Sequence, residues 1–286
     1  MKKTVKWFAL LAALGCTGVL AASPVVEGVQ YPAWLERNGE KVPLTPGTQL
    51  QAYDQLRTGR NARVQLKLPE GSAVKLGANA HFTIDRVEDT SVFRAALRVL
   101  TGAFRFTTDA AFKGRPRDVR IQVKNVTAGI RGTDLWGKST DDRDLVCLLE
   151  GKISVGAEGH PTVTLDKPND FYQKPRHGAP VVSKVDEKQV RIWSEETEIS
   201  SSGAAAREGG RWTVTAALFD ARDPANALAR TLRSQGYPAE MRAIDTGFAV
   251  QIAGLSGREE AHALVADIER VEGVTSPSIS EVGARP

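Results

Sequence analysis

The sequence predicts a mostly β N-terminal domain, a β-sandwich or β-roll, followed by a small α+β C-terminal domain of βαββαβ order whose antiparallel sheet carries two helices on one face. Three observations support this. Short runs of alternating apolar and polar residues, cut by turn residues, fill positions 24–182 with almost no helical periodicity. A strand-helix unit then occurs twice after position 211, its strands about 36 residues apart. Between the two regions lies Ser200-Ser-Ser-Gly-Ala-Ala-Ala-Arg-Glu-Gly-Gly210, the composition of a flexible linker. A chain of 286 residues, 41% apolar and 25% charged, has the make-up of a globular protein with room for two cores.

Residues 1–22 read as a signal peptide. A cationic start, MKKTVK, precedes the apolar run WFALLAALGCTGVLAA, which ends in small residues suited to cleavage after about Ala22. That run is short for a membrane span, which needs roughly 20 apolar residues. The stretch Ala13-Leu14-Gly15-Cys16 faintly resembles a lipoprotein box with leucine missing from its usual place; on that alternative Cys16 would be the acylated first residue. The expected location is the bacterial periplasm, with no membrane span in the mature chain and no cytoplasmic segment. The formal charge is +4, of which Lys2, Lys3 and Lys6 sit in the leader, leaving about +1. That balance argues against nucleic acid as a partner. Without Cys16, Cys147 is the lone cysteine, and its setting Leu145-Val-Cys-Leu-Leu149 is that of a buried strand residue.

Within 24–182, Ala62, Val64, Leu66 and Leu68 alternate with polar residues before the turn Pro69-Glu70-Gly71-Ser72, and Val74 and Leu76 follow it. Phe104 and Phe106 flank Arg105, and Val119, Ile121 and Val123 alternate with Arg120 and Gln122. Roughly ten strands are expected. Asp141, Asp142 and Asp144 read as a solvated turn, because an EF-hand loop would also need a glycine and a distal glutamate.

This region resembles the FecR-type periplasmic domain. The likeness rests on Leu44-Thr-Pro-Gly47 through Asp54-Gln-Leu-Arg-Thr58-Gly59, on the Leu68-Pro-Glu-Gly71-Ser72 hairpin, and on Val99-Leu-Thr-Gly102-Ala-Phe-Arg-Phe106. Val126-Thr-Ala-Gly-Ile-Arg131-Gly132-Thr133-Asp134-Leu-Trp136 and Leu149-Glu150-Gly151-Lys-Ile-Ser-Val155 complete it. The resemblance implies a module that binds another envelope protein, without the cytoplasmic sigma-factor segment of the founding signalling members. Arg131-Gly132-Thr133-Asp134 reads as a tight turn into the next strand.

Residues 183–210 form the connector and linker: Val185 to Trp193 suggests a short helix laid on the β domain, and 200–210 should let the two domains move independently. In 211–280, Trp212, Val214, Ala216 and Leu218 alternate on a first strand. Asp223-Pro224 suggests an N-cap and first helical position, and Ala225, Leu228, Ala229 and Leu232 form a helical stripe. Ala239 to Ile244, the turn Asp245-Thr246-Gly247 and the alternation Phe248, Val250, Ile252 give two further strands. Ser256 and Glu259 have capping-box spacing ahead of the stripe Ala261, Leu264, Val265, Ile268, and Val274 to Ile279 close the sheet.

The duplicated unit, with the order strand, Asp-Pro-Ala-Asn-Ala helix, Gly-Tyr-Pro, strand, resembles the SPOR (sporulation-related repeat) domain. That resemblance implies binding of peptidoglycan glycan strands, preferentially those stripped of stem peptides, across the helix-free face, and a link to cell division. Strict alternation places Thr213, Thr215, Ala217, Ala249 and Gln251 on that face. Where SPOR domains typically have Gln and then Gly-Ser after the first valine, this chain has Thr215 and Ala217-Leu218, and an arginine sometimes found on the third strand aligns with Ala249.

Signals for catalysis are missing from the sequence. His81, His160, His177 and His262 are scattered, and no nucleophile elbow, phosphate loop or dinucleotide fingerprint occurs. No catalytic residue, metal ligand or cofactor is expected. The leading expectation is a non-enzymatic glycan-binding envelope protein whose β domain meets a partner; the alternative is a signalling or scaffold protein in which the SPOR-like fold only localises the chain.

Overall fold

The computed structural model describes residues 23–109, 116–130 and 132–282. The expected signal peptide, Cys16 and Arg131 lie outside the described residues. Sixteen strands form the N-terminal domain among them, more than the ten or so that alternation suggests. Strands such as β3 (Glu40–Pro43) and β16 (Val181–Lys184) lie at sheet edges and bury almost nothing, so they carry no apolar period to read.

Two sheets face each other. In lateral order the first holds β1 (Val25–Gln30), β5 (Arg63–Lys67), β6 (Ala73–Leu76), part of β8 (Phe93–Thr107), β11 (Asp134–Ser139), β12 (Arg143–Glu150), β15 (Asp170–Pro175) and β16. The second holds β3, β2 (Ala33–Arg37), β4 (Gln55–Thr58), β7 (His81–Asp89), the rest of β8, β9 (Arg117–Val123), β10 (Val126–Ile130), β13 (Ile153–Ala157) and β14 (Val163–Leu165). Of these pairings only β8 with β9 is parallel. The 15-residue β8 belongs to both sheets and passes between them at Gly102, whose φ is +85°. A Cβ there would fall 2.5 Å from the Ala80 Cα, so this crossing requires glycine. Between the sheets, Val64, Leu66, Leu76, Phe104 and Phe106 meet Leu56, Phe82, Ile84, Leu97, Val99 and Ile121 in one buried core. Each such side chain contributes about 1.5–3 kcal/mol.

The outer surface of the first sheet is covered by α1 (Glu187–Glu195), which starts where Asp186 accepts the Gln189 N–H. Trp193 on this helix stacks on Trp136 at 4.4 Å and 1°. Cys147 is buried in the same cluster, and burial pushes its thiol up to about 12. The acidic turn is held by protein groups: Asp144 is fully buried, accepts from Ser139 Oγ and the Asn125 N–H, and pairs with Arg176.

The C-terminal domain contains β18 (Trp212–Phe219), α2 (Arg222–Ser234), β19 (Glu240–Ile244), β20 (Gly247–Leu255), α3 (Arg258–Ile268) and β21 (Ser278–Glu281), with sheet order β21-β18-β20-β19, all antiparallel. The helices bury Ala225, Leu228, Ala229 and Leu232, and Ala261, Leu264 and Ile268. Their starts differ from the expected ones. Helix α2 begins at Arg222 after Ala221, which makes no side-chain cap; Asp223 and Pro224 instead occupy the first turn. There a missing N–H costs nothing, and a carboxylate is favoured by the helix dipole. Helix α3 follows Gly257 without a side-chain cap, because Ser256 belongs to the domain junction, its N–H donating to the Ala205 carbonyl. No helix among the described residues is long and apolar enough to cross a membrane.

The expected flexible linker is a correction. Its centre is β17 (Ala205–Arg207), which pairs antiparallel with β1 from Gly28↔Arg207 to Gln30↔Ala205 and meets β20 at Ala206↔Leu255. Ala204, Ala205 and Ala206 are buried, and the Tyr31 N–H donates to the Ala204 carbonyl. Small residues that look featureless in sequence let two sheet edges come together on the backbone. On the far side, the Ala33 N–H donates to the Gly236 carbonyl and Trp34 Nε1 to the Ser234 carbonyl, while Tyr31 and Tyr237 meet at 6.4 Å. The packing couples the domains instead of leaving them independent.

Two predictions follow from this packing. Ala206→Arg forces a long cation into the junction, and limited proteolysis should then cut between residues 200 and 210 at a rate at least about tenfold above the parent chain. The second concerns Glu70, a fully buried carboxylate whose pKa is raised by burial, which outweighs the opposing influence of Ser72 and Arg117. A raised folded pKa means that ionisation opposes folding as pH rises. Glu70→Gln should therefore raise the thermal midpoint at pH 7, with the gain fading toward pH 4.

Candidate functional site

The helix-free face of the C-terminal sheet is built by four strands and read row by row, since side chains directly opposite one another share a face. Thr215 on β18 lies opposite Gln251 on β20 and Ser278 on β21, and Gln251 lies opposite Glu240 on β19. Gln251 Nε2 donates to Thr215 Oγ1 at 3.1 Å. This bond fixes the amide orientation and leaves its carbonyl oxygen available as an acceptor. Glu240 and Ser278 are exposed at the two ends of the row.

The next row depends on a β-bulge. Register shifts between Thr215 and Ala217, so that Ala217 pairs with Val250 and Leu218 with Ala249. Val250 belongs to the core, and Ala217, 1% exposed, points the same way. The expected placement of Ala217 on the open face is thus corrected: one extra residue inverts the alternation beyond it. The same inversion turns Leu218, expected in the core, out to 61% exposure. Ala249 stands between Leu218 and Arg242, its two cross-strand neighbours, and at 1% exposure it makes floor rather than contact. Thr213 shares the face, opposite Ser280, but is 7% exposed beside a second register shift between Trp212 and Val214.

Of the five residues expected here, Thr215 and Gln251 come together as a hydrogen-bonded couple, Thr213 and Ala249 are largely covered, and Ala217 is turned inward. The structure adds Leu218 as an apolar platform and Arg242 as a cation. The bulge leaves no mark in the sequence, so Leu218 could not be read from it. Arg242 could have been: alternation with Met241, which is half-buried against the core, points it outward. An aliphatic side chain beside a threonine-glutamine couple and an arginine can take one face of a sugar ring while bonding its hydroxyl, amide or carboxylate groups.

The family model described as FecR protein matches residues 54–154, and the model described as SPOR domain matches residues 208–279. The chain carries a FecR domain followed by a SPOR domain. No curated protein matches the chain. Two crystal structures titled as a "putative anti-sigma factor" from Parabacteroides distasonis ATCC 8503 resemble it, each at 13% identity and a TM-score of 0.41. One alignment covers 75% of this chain and 92% of that one, the other 76% and 91%. The SPOR match contains the whole open face up to Ser278. The FecR match ends at Ser154, so β14, β15, β16 and α1 extend the fold beyond it.

Within the FecR domain, Thr133 and Asp134 have structural roles. Thr133 is buried with its Oγ1 on the Lys152 carbonyl, and Asp134 takes a two-pronged contact from Arg105 at 2.9 and 2.6 Å. Among the described residues no group of three His, Cys, Asp or Glu is arranged to hold a metal ion.

The inverted register makes a sharp prediction. Ala217→Asp buries a charge with no partner and should destabilise the SPOR domain by about 3 kcal/mol or more. Leu218→Asp, one residue on, should shift the thermal midpoint little, as thermal unfolding followed by circular dichroism will show.

Proposed function

We propose that the protein is a non-enzymatic component of the bacterial cell envelope, which docks on peptidoglycan glycan strands through its SPOR domain while the FecR domain presents a surface to another envelope protein. The observation that carries this reading is the open face itself: Leu218, Arg242 and the Gln251–Thr215 couple stand together on the side of the sheet away from both helices. The larger domain meets the SPOR domain through the Ser234–Tyr237 turn and the β17 edge, which leaves Leu218, Glu240 and Arg242 in solvent. In this reading residues 1–22 direct export to the periplasm and are cleaved, bare glycan of the kind exposed at division sites is the target, and no metal or cofactor takes part. The FecR match supports a second role in envelope signalling or scaffolding, with the SPOR domain fixing where that role is exercised.

The test is retention of residues 23–286 on purified sacculi with and without amidase treatment. Preferential retention on amidase-treated walls is expected, and equal retention on both, or none on either, would overturn the reading. Leu218→Asp combined with Gln251→Ala should lower retention by about tenfold or more, because both the platform and the fixed amide are lost. The melting curve of that variant should stay close to the parent.

A further inference from the structure

The FecR domain has an open face of its own, on the outside of the second sheet. One row of residues runs unbroken across six strands: Arg86 on β7, Ala96 on β8, Arg120 on β9, Gly129 on β10, Ser154 on β13 and Thr164 on β14, each opposite the next. At about 4.8 Å per strand the row is roughly 24 Å long, the span of about seven extended residues. Its middle is low because Ala96 and Gly129 have little or no side chain. A Cβ on Gly129 would come within 2.7 Å of Ser154 Oγ.

Two adjoining cavities follow this row. One of about 420 Å³ is lined by Arg117, Asp118, Arg120, Lys152 and Ser154, with Gly129 at its base. The other, of about 220 Å³, is lined by Arg86, Arg94, Ala96, Asp118 and Arg120. They share Asp118 and Arg120 and so form a single trough. Arg86, Arg94, Arg120 and Lys152 line it together with one acid, Asp118, while Arg117, also in its lining, acts electrostatically on Glu70. Glu88 and Asp166, just outside, pair with Arg86 at 2.6 Å and Lys152 at 3.5 Å. These pairs, and Arg120 with Asp118 at 3.4 Å, are all solvent-exposed. Exposed pairs of this kind contribute little to stability and exchange readily for other carboxylates.

We infer that this trough binds an extended acidic peptide segment of a partner protein, laid across the strands with its carboxylates between the arginine and lysine side chains. Charge complementarity supplies the attraction, and the arginine fork matches a carboxylate in two-pronged geometry. Neither cavity has an aromatic lining residue, so a sugar ring finds no stacking platform here. A peptide of alternating acidic and small residues suits a floor of glycine, alanine and serine. The inference gives a chemistry to the partner surface of the proposed function, and it concerns a different domain from the glycan face.

The experiment is fluorescence anisotropy of residues 23–286 with a labelled Glu-Ser-Glu-Ser-Glu-Ser-Glu peptide, and with its Lys-for-Glu counterpart as control. Binding of the acidic peptide alone is expected, weakening at least tenfold between about 0.05 and about 0.3 M salt. Arg94→Glu with Arg120→Glu should abolish it, and Ala96→Leu, which fills the floor without changing charge, should weaken it about tenfold. Leu218→Asp with Gln251→Ala should leave peptide binding intact while removing sacculus retention, which keeps the two sites' failures apart. Peptide binding that survives both trough variants would overturn the inference, as would stronger competition at the trough by polyphosphate or amidase-treated glycan than by unlabelled peptide.

Discussion

The hydrogen-bonded continuity of one sheet through β17 is the constraint on which the arrangement depends. This three-residue strand pairs with β1 along its length and touches β20 at its middle, so the first sheet of the FecR domain runs on into the sheet of the SPOR domain. Backbone groups buried at such a junction must find partners, and here they find them in both domains. The three alanines at 204–206 are small enough for the edges to close, and the Gly236 turn packs against Pro32 and Trp34 on the opposite flank. A Ser-Gly-Ala stretch is thereby turned from a tether into a splice.

The splice joins the two domains that carry the exposed faces through backbone hydrogen bonds. The two faces have opposite chemical characters. The SPOR face is a small neutral patch with an aliphatic centre, one hydrogen-bonded amide and a flanking arginine. The FecR trough is long, cationic and floored by small residues. Under the proposed function, such a chain would bridge two different envelope components, one a polysaccharide and the other a protein, with little entropy spent on ordering a linker.

Periodicity was a good guide where burial is one-sided and regular. The stripes Ala225-Leu228-Ala229-Leu232 and Ala261-Leu264-Ile268 face the sheet as their spacing implies, and the alternating runs around Val64, Phe104 and Ile121 make the core between the two β sheets. Capping signals were poorer guides. Asp223, Pro224 and Ser256 lie at the helix starts, but backbone packing there uses them differently, and Ser256 is committed to the Ala205 carbonyl. Edge strands such as β3 and β16 leave no period in the sequence, because exposed residues need no pattern.

What the amino-acid sequence determined by itself was the order and kind of elements, the two family resemblances and the placement of Thr215 and Gln251 on one face of the sheet, since all of these rest on local spacing and on residue types within one repeat. Tertiary structure decided the rest. A bulge of one residue put Ala217 inside and Leu218 outside, and pairing between strands distant in sequence aligned Arg86, Arg120 and Lys152 along one trough. Register and long-range strand order come from how whole sheets close and pack. The alternation within a single strand is the same on either side of a slip, so it carries no record of which face a residue will finally show.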